Sequence, residues 1–192
     1  MRRLGMQIKL HLFRYLIGIT LDSEAYFIKK RHKPMNINKR LLFICIAIPL
    51  LVGAVSAALT SNSMEAFAQL DKPFFAPPAW LFPVAWTILY ILMGISSYLI
   101  LTSGASKADI EAAIRLYAYQ LAVNFLWSTF FFNFGWYLFS FFWLVLLWVL
   151  VLLMILRFKD INKVAAYLNI PYILWLTFAG VLNLAIWILN WV

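Results

Sequence analysis

The sequence predicts an all-α membrane protein: a bundle of five transmembrane helices preceded by a basic N-terminal extension. Three observations carry this. The 192 residues are 65% hydrophobic and 12% charged, whereas soluble domains average about half apolar and a quarter charged. Five apolar stretches each approach the ~20 residues that cross a bilayer. Ten of the sixteen Lys and Arg residues precede Leu41. That placement makes anionic lipid, not nucleic acid, the partner implied by the net charge of +9.

Residues 1–40 form the extension. Arg3, Gln7, His11 and Arg14 share a helical face opposite Met6, Leu10, Phe13 and Ile17, which suits an amphipathic helix lying in the interface. The apolar run is short and no small-residue cleavage site follows, so a secretory signal is not indicated. The competing expectation is that Met35 is the true start, with Met35–Arg40 as a short basic leader.

The membrane domain occupies 41–192. Span one, 41–60, holds Pro49 and the small pairs Gly53/Ala57 and Ala54/Ala58, spaced for close helix approach; ordinary packing is the favoured role. The link 61–79 carries Glu65, Asp71 and Lys72 but also Phe67, Leu70, Phe74 and Phe75, so it is expected to fold over the helix ends. Pro77-Pro78 cannot sit inside a helix and pushes the preceding residues towards extended backbone. Helix two therefore starts near Ala79 or Trp80 and runs 80–102, with Pro83 tolerated in its first turns. Pro77, Pro78 and Trp80 are expected to form a loop lid. Span three, 110–134, ends in the turn Asn133-Phe134-Gly135. Span four, 136–158, is apolar all round, with Trp143 and Trp148 expected to face outward as a dimer or scaffold surface. Span five, 164–191, contains Pro171, expected to kink it or relax its first turns.

Orientation follows from the positive-inside rule. Lys39, Arg40, Lys107, Arg115, Arg157, Lys159 and Lys163 fall on one side, against Lys72 on the other. The N-terminus is expected in the cytoplasm, with the 61–79 link and the C-terminus outside.

The spans lack the groups that much membrane chemistry needs. Both histidines precede the first span, and all seven acids lie in links or at span ends. No ionisable pair is available at the midplane for a proton relay. There is no phosphate-cradling Gly-rich loop, no histidine to hold haem iron, and little for acid–base or metal catalysis. The lone Cys45 permits no internal disulfide. No metal and no resident cofactor are expected.

What remains is aromatic surface with a few amides. Trp86 and Tyr90 share a face of span two. Asn124, Trp127, Ser128 and Phe131 share a face of span three, and Trp175, Ala179 and Asn183 one of span five. Each intramembrane amide must find a partner; bonds between helices are the favoured role of Asn124 and Asn183. Converging tryptophans from separate spans suit a flat, apolar molecule such as a tetrapyrrole or sterol.

Three segments resemble the tryptophan-rich sensory protein / translocator protein family, also called peripheral-type benzodiazepine receptors. Pro73–Tyr98, PFFAPPAWLFPVAWTILYILMGISSY, is similar to its P-x-x-x-P-P-x-W…P-V-W-x-x-L-Y-x-x-M-G signature, with Ala85 inserted. Ala122–Phe132, AVNFLWSTFFF, resembles its L-N-x-x-W-S-x-x-F-F segment. Pro171–Asn190, PYILWLTFAGVLNLAIWILN, resembles its ending. The resemblance implies a five-helix bundle, commonly a homodimer, in a bacterial cytoplasmic membrane. It implies a pocket for porphyrins, sterols and synthetic ligands, lined by Trp86, Tyr90, Asn124, Ser128, Phe131, Trp175 and Ala179. The expected function is a porphyrin-binding sensor, regulator or translocator. The alternatives are a light- and oxygen-dependent porphyrin-degrading enzyme working through Trp86 and Trp175, and a membrane scaffold. Cholesterol recognition is not carried over, because Leu184 and Ile188 replace the Tyr and Arg it needs.

Overall fold

The computed structural model describes residues 37–63 and 67–191; the amphipathic-helix and Met35-start expectations lie outside these residues. From Asn38 onward the chain forms one compact unit. Its crossings are built from α1 (Lys39–Thr60), α2 (Leu81–Leu101), α3 (Lys107–Ser128), α4 (Tyr137–Ile161), α5 (Lys163–Tyr167) and α6 (Ile170–Leu189). α5 and α6 together make the fifth crossing. Four crossings are long and apolar enough to span a membrane. α3 is the exception, because its first turns hold Lys107, Asp109, Glu111 and Arg115. It nevertheless packs against α1 and α4, so the five-helix count fits.

Local chemistry sets the ends. The Asn38 side chain caps α1 by accepting from the Leu41 amide at 3.1 Å. α2 begins at Leu81, one residue past Trp80 and three past the proline pair. α3 begins three residues before the expected Ile110. There the Ser106 hydroxyl accepts from the Asp109 amide at 3.2 Å and donates to the Asp109 carboxylate at 2.7 Å, a reciprocal cap that outweighs the polarity of the link. Gly104 and Gly135 take φ of +73° and +64° in the turns before α3 and α4, backbone that glycine adopts without cost. The fifth crossing breaks at Leu168-Asn169, so Pro171 falls in the first turn of α6, where its missing N–H matters least. Asn169 fills the break by donating to the Ser96 hydroxyl at 2.7 Å and the Ala165 carbonyl at 2.9 Å.

The expected outward placement of Trp143 and Trp148 is corrected by the packing of α4. Both are half-buried. The Trp143 indole N–H donates to the Val123 carbonyl on α3 at 2.8 Å, and that of Trp148 to the Thr177 hydroxyl on α6 at 3.0 Å. An indole N–H in a membrane needs an acceptor, and neighbouring helices supply it.

The bundle is solid at one end and hollow at the other. Met93, Ile100, Val151, Met154, Phe158, Tyr172 and Leu176 are fully buried and fill the half where Lys39, Arg40, Lys107, Arg157, Lys159 and Lys163 gather. There the Asn38 amide meets the Tyr98 hydroxyl at 3.2 Å, and Arg157 pairs with Asp109 at 2.6 Å. In the other half α6 packs on α4, and a gap lies between the facing sides of α1, α2, α3 and α6. A cavity occupies the gap.

An aromatic cavity as the candidate functional site

The cavity measures about 680 Å³, within the range of small-molecule sites. Four crossings and the α1–α2 link build its wall. α1 contributes Gly53, Ala54, Ser56 and Ala57. These small residues leave room for the ring of Tyr90, which a Cβ at Gly53 would strike. At Gly53 the row therefore serves the expected close approach of α2, and Gly53, Ala54 and Ala57 also border the cavity.

Opposite stand the aromatics. Trp86 stacks on Tyr90 with centroids 5.4 Å apart and meets Trp175 edge-to-face at 6.4 Å. Trp127 stacks on Phe131 at 5.3 Å. Trp86, Tyr90, Trp127, Ser128, Phe131, Trp175, Ala179 and Asn183 all reach the cavity wall, so the face patterns of spans two, three and five converge. Past Ser128 the helix widens into a π turn, Thr129–Asn133. The extra residue per turn brings Phe132 onto the wall beside Phe131, a position that α-helical spacing misses.

Asn124 is not on that wall. It lies one turn deeper, in a buried chain of hydrogen bonds. Tyr90 donates its hydroxyl proton to Asn124 Oδ1 at 3.2 Å. Asn124 Nδ2 donates to the Tyr172 hydroxyl at 2.6 Å, and Tyr172 donates to Gln120 Oε1 at 3.0 Å. This chain joins α2, α3 and α6 and fixes Tyr90 as the cavity floor. Replacing Asn124 by Leu would leave the Tyr90 hydroxyl without its acceptor. We expect a loss of about 1–2 kcal/mol in unfolding free energy, read by denaturant unfolding in detergent. An unchanged midpoint would show that the chain does not hold the floor.

The two amides thus part ways. Asn183 is 1% exposed, yet neither Oδ1 nor Nδ2 has a partner. The indole N–H groups of Trp127 and Trp175 are also buried and unpaired. The wall is apolar except for these unused groups and a few hydroxyls.

The link closes over the cavity mouth, but by residues other than the expected lid. Phe67 lines the cavity and packs edge-on against Phe132 at 5.2 Å. The Asp71 amide donates to Asn190 Oδ1 at 3.0 Å, and Asn190 Nδ2 returns a bond to the Asp71 carbonyl at 2.9 Å. Of the Pro77–Trp80 run only Ala79 reaches the cavity, and Trp80 is 65% exposed. Among the described residues, no three of His, Cys, Asp and Glu converge to hold a metal.

Fold and site together define an all-helical integral membrane protein with an aromatic cavity of ligand size at one end. A profile of the TspO/MBR family matches residues 45–188. The chain is 37% identical to Tryptophan-rich protein TspO of Chlorobaculum tepidum, over 81% of this chain and 99% of that protein. It is 40% identical to Protein CrtK of Rhodobacter capsulatus, over 72% and 85%. It is 34% identical to the Translocator protein of Bos taurus, over 73% and 84%. The chain belongs to the TspO/MBR family.

Proposed function

We propose that the protein binds a flat, largely apolar tetrapyrrole-type ligand in the cavity and acts in the membrane as a sensor, regulator or translocator. The observation that carries this is the meeting of Trp86 and Trp175 at 6.4 Å on the wall of a 680 Å³ cavity. Two indole faces there offer stacking surface, and the unpaired N–H groups offer donors to a ligand's acceptors. The name of one relative, Translocator protein, agrees with a role in handling a ligand. Adding protoporphyrin to the detergent-solubilised protein is the direct test. Saturable quenching of tryptophan fluorescence supports the assignment, and its absence removes it. The same proposal includes a homodimer, as the family resemblance implies.

The basic end is proposed to face the cytoplasm of a bacterial cell and the cavity mouth to face outward. Cys45 is the sole cysteine and is buried, so single-cysteine labelling is clean. A membrane-impermeant maleimide should modify Lys72→Cys in intact cells, and Lys159→Cys only after permeabilisation. The reverse pattern would invert the orientation.

A further inference from the structure

Asn183 sets a chemical requirement that stacking alone does not. A buried amide with both polar atoms unpaired is costly in an apolar surround. Asn124, on the neighbouring α3, uses both its atoms; Asn183 uses neither while lining the cavity. The hydroxyls of Thr60, Ser61 and Thr87 on the same wall already donate to carbonyls of their own helices. The fully buried donors on the wall that remain unpaired are the Asn183 amide and the indole N–H groups of Trp127 and Trp175. Asn183 Oδ1 adds an acceptor beside its own donor.

We infer that Asn183 selects, among flat apolar ligands, those carrying a lactam edge, an N–H next to a ring carbonyl. The lactam N–H donates to Asn183 Oδ1 while its carbonyl accepts from Nδ2, so both unpaired atoms are satisfied by one ligand edge. The indole N–H groups serve further carbonyls. A closed porphyrin holds its N–H groups at the centre of the ring, out of reach of a side chain at its edge, so it offers Asn183 Oδ1 no donor. This inference rests on the ligand-binding reading of the cavity and sharpens it to a ligand class.

The test uses the full chain in detergent with three probes: phenanthridin-6(5H)-one, its N-methyl derivative and protoporphyrin, each titrated by absorbance and tryptophan quenching. The wild-type protein should bind the free lactam about tenfold more tightly than the N-methyl compound. Asn183→Leu should abolish that ratio and raise the melting temperature of the ligand-free protein, since it removes the unpaired amide. Equal binding of the two lactams by the wild type overturns the inference without needing any variant. So does a ratio that survives in Asn183→Leu. If protoporphyrin still binds in those cases, the cavity assignment stands; if no probe binds, both fall.

Discussion

Replacing Trp86 and Trp175 together by alanine is expected to weaken protoporphyrin binding by about 30- to 1,000-fold. Each indole contributes stacking of about 0.5–1.5 kcal/mol beyond the apolar area it covers. With part of that area included, about 1–2 kcal/mol per ring follows, or about 2–4 kcal/mol for the pair. The rings touch each other at 6.4 Å, so the single substitutions should not sum to the double. Trp86 also rests on Tyr90 and lies edge-on to Tyr172 at 6.1 Å, so its loss loosens the floor as well. Because the substitutions remove reporters of quenching, the ligand's own absorbance is the proper measurement. Trp191→Ala serves as the control, for Trp191 is 67% exposed and lies away from the wall. A double variant that binds as tightly as Trp191→Ala would refute the cavity as the binding site.

Much of this arrangement is legible in the sequence, for identifiable reasons. A membrane helix announces itself by an apolar run of set length, and Pro77-Pro78 marks the entry to α2 by geometry alone. Period 3.6 brings Trp175, Ala179 and Asn183 to one face. The parts that escape have no local signature. Gly53, Ala54 and Ala57 look the same whether they admit a neighbouring helix or border a space; the Tyr90 ring shows close approach at Gly53, and the cavity shows that the same row borders a space. Phe132 reaches the wall through a π turn closed by tertiary bonds, including Asn133 Nδ2 to the Leu59 carbonyl at 3.1 Å. Asn124 and Asn183 are indistinguishable as letters; one meets two tyrosines and the other meets nothing. Trp143 and Trp148 mislead because periodicity on an all-apolar helix cannot separate a lipid-facing side from a helix-facing one.

Gly94→Val is expected to destabilise the bundle by ~3 kcal/mol, the upper end for overpacking. A Cβ at Gly94 would lie 2.5 Å from the Ile46 Cα and 2.7 Å from the Cys45 carbonyl oxygen. Both are backbone atoms, so no rotamer change relieves the collision and α1 itself must move. α1 is poorly placed to absorb this. Phe43, Ile44, Leu51, Val55 and Leu59 are exposed along it, and its main packing partner is α2. In lipid that contact depends on close packing, since apolar side chains gain nothing hydrophobic by leaving lipid for one another. The displacement should carry into the cavity, because Gly53, Ala54 and Ala57 lie two to three turns further along the same helix. Ligand affinity and melting temperature should therefore fall together, with Gly94→Ala between wild type and valine. Gly180→Ala supplies the contrast. Its Cβ would meet only the Leu144 Cδ2 at 3.3 Å, the far end of a flexible side chain, and alanine favours the helix. If Gly94→Ala melts no lower than Gly180→Ala, the α1–α2 contact is not what holds the cavity's near wall in place.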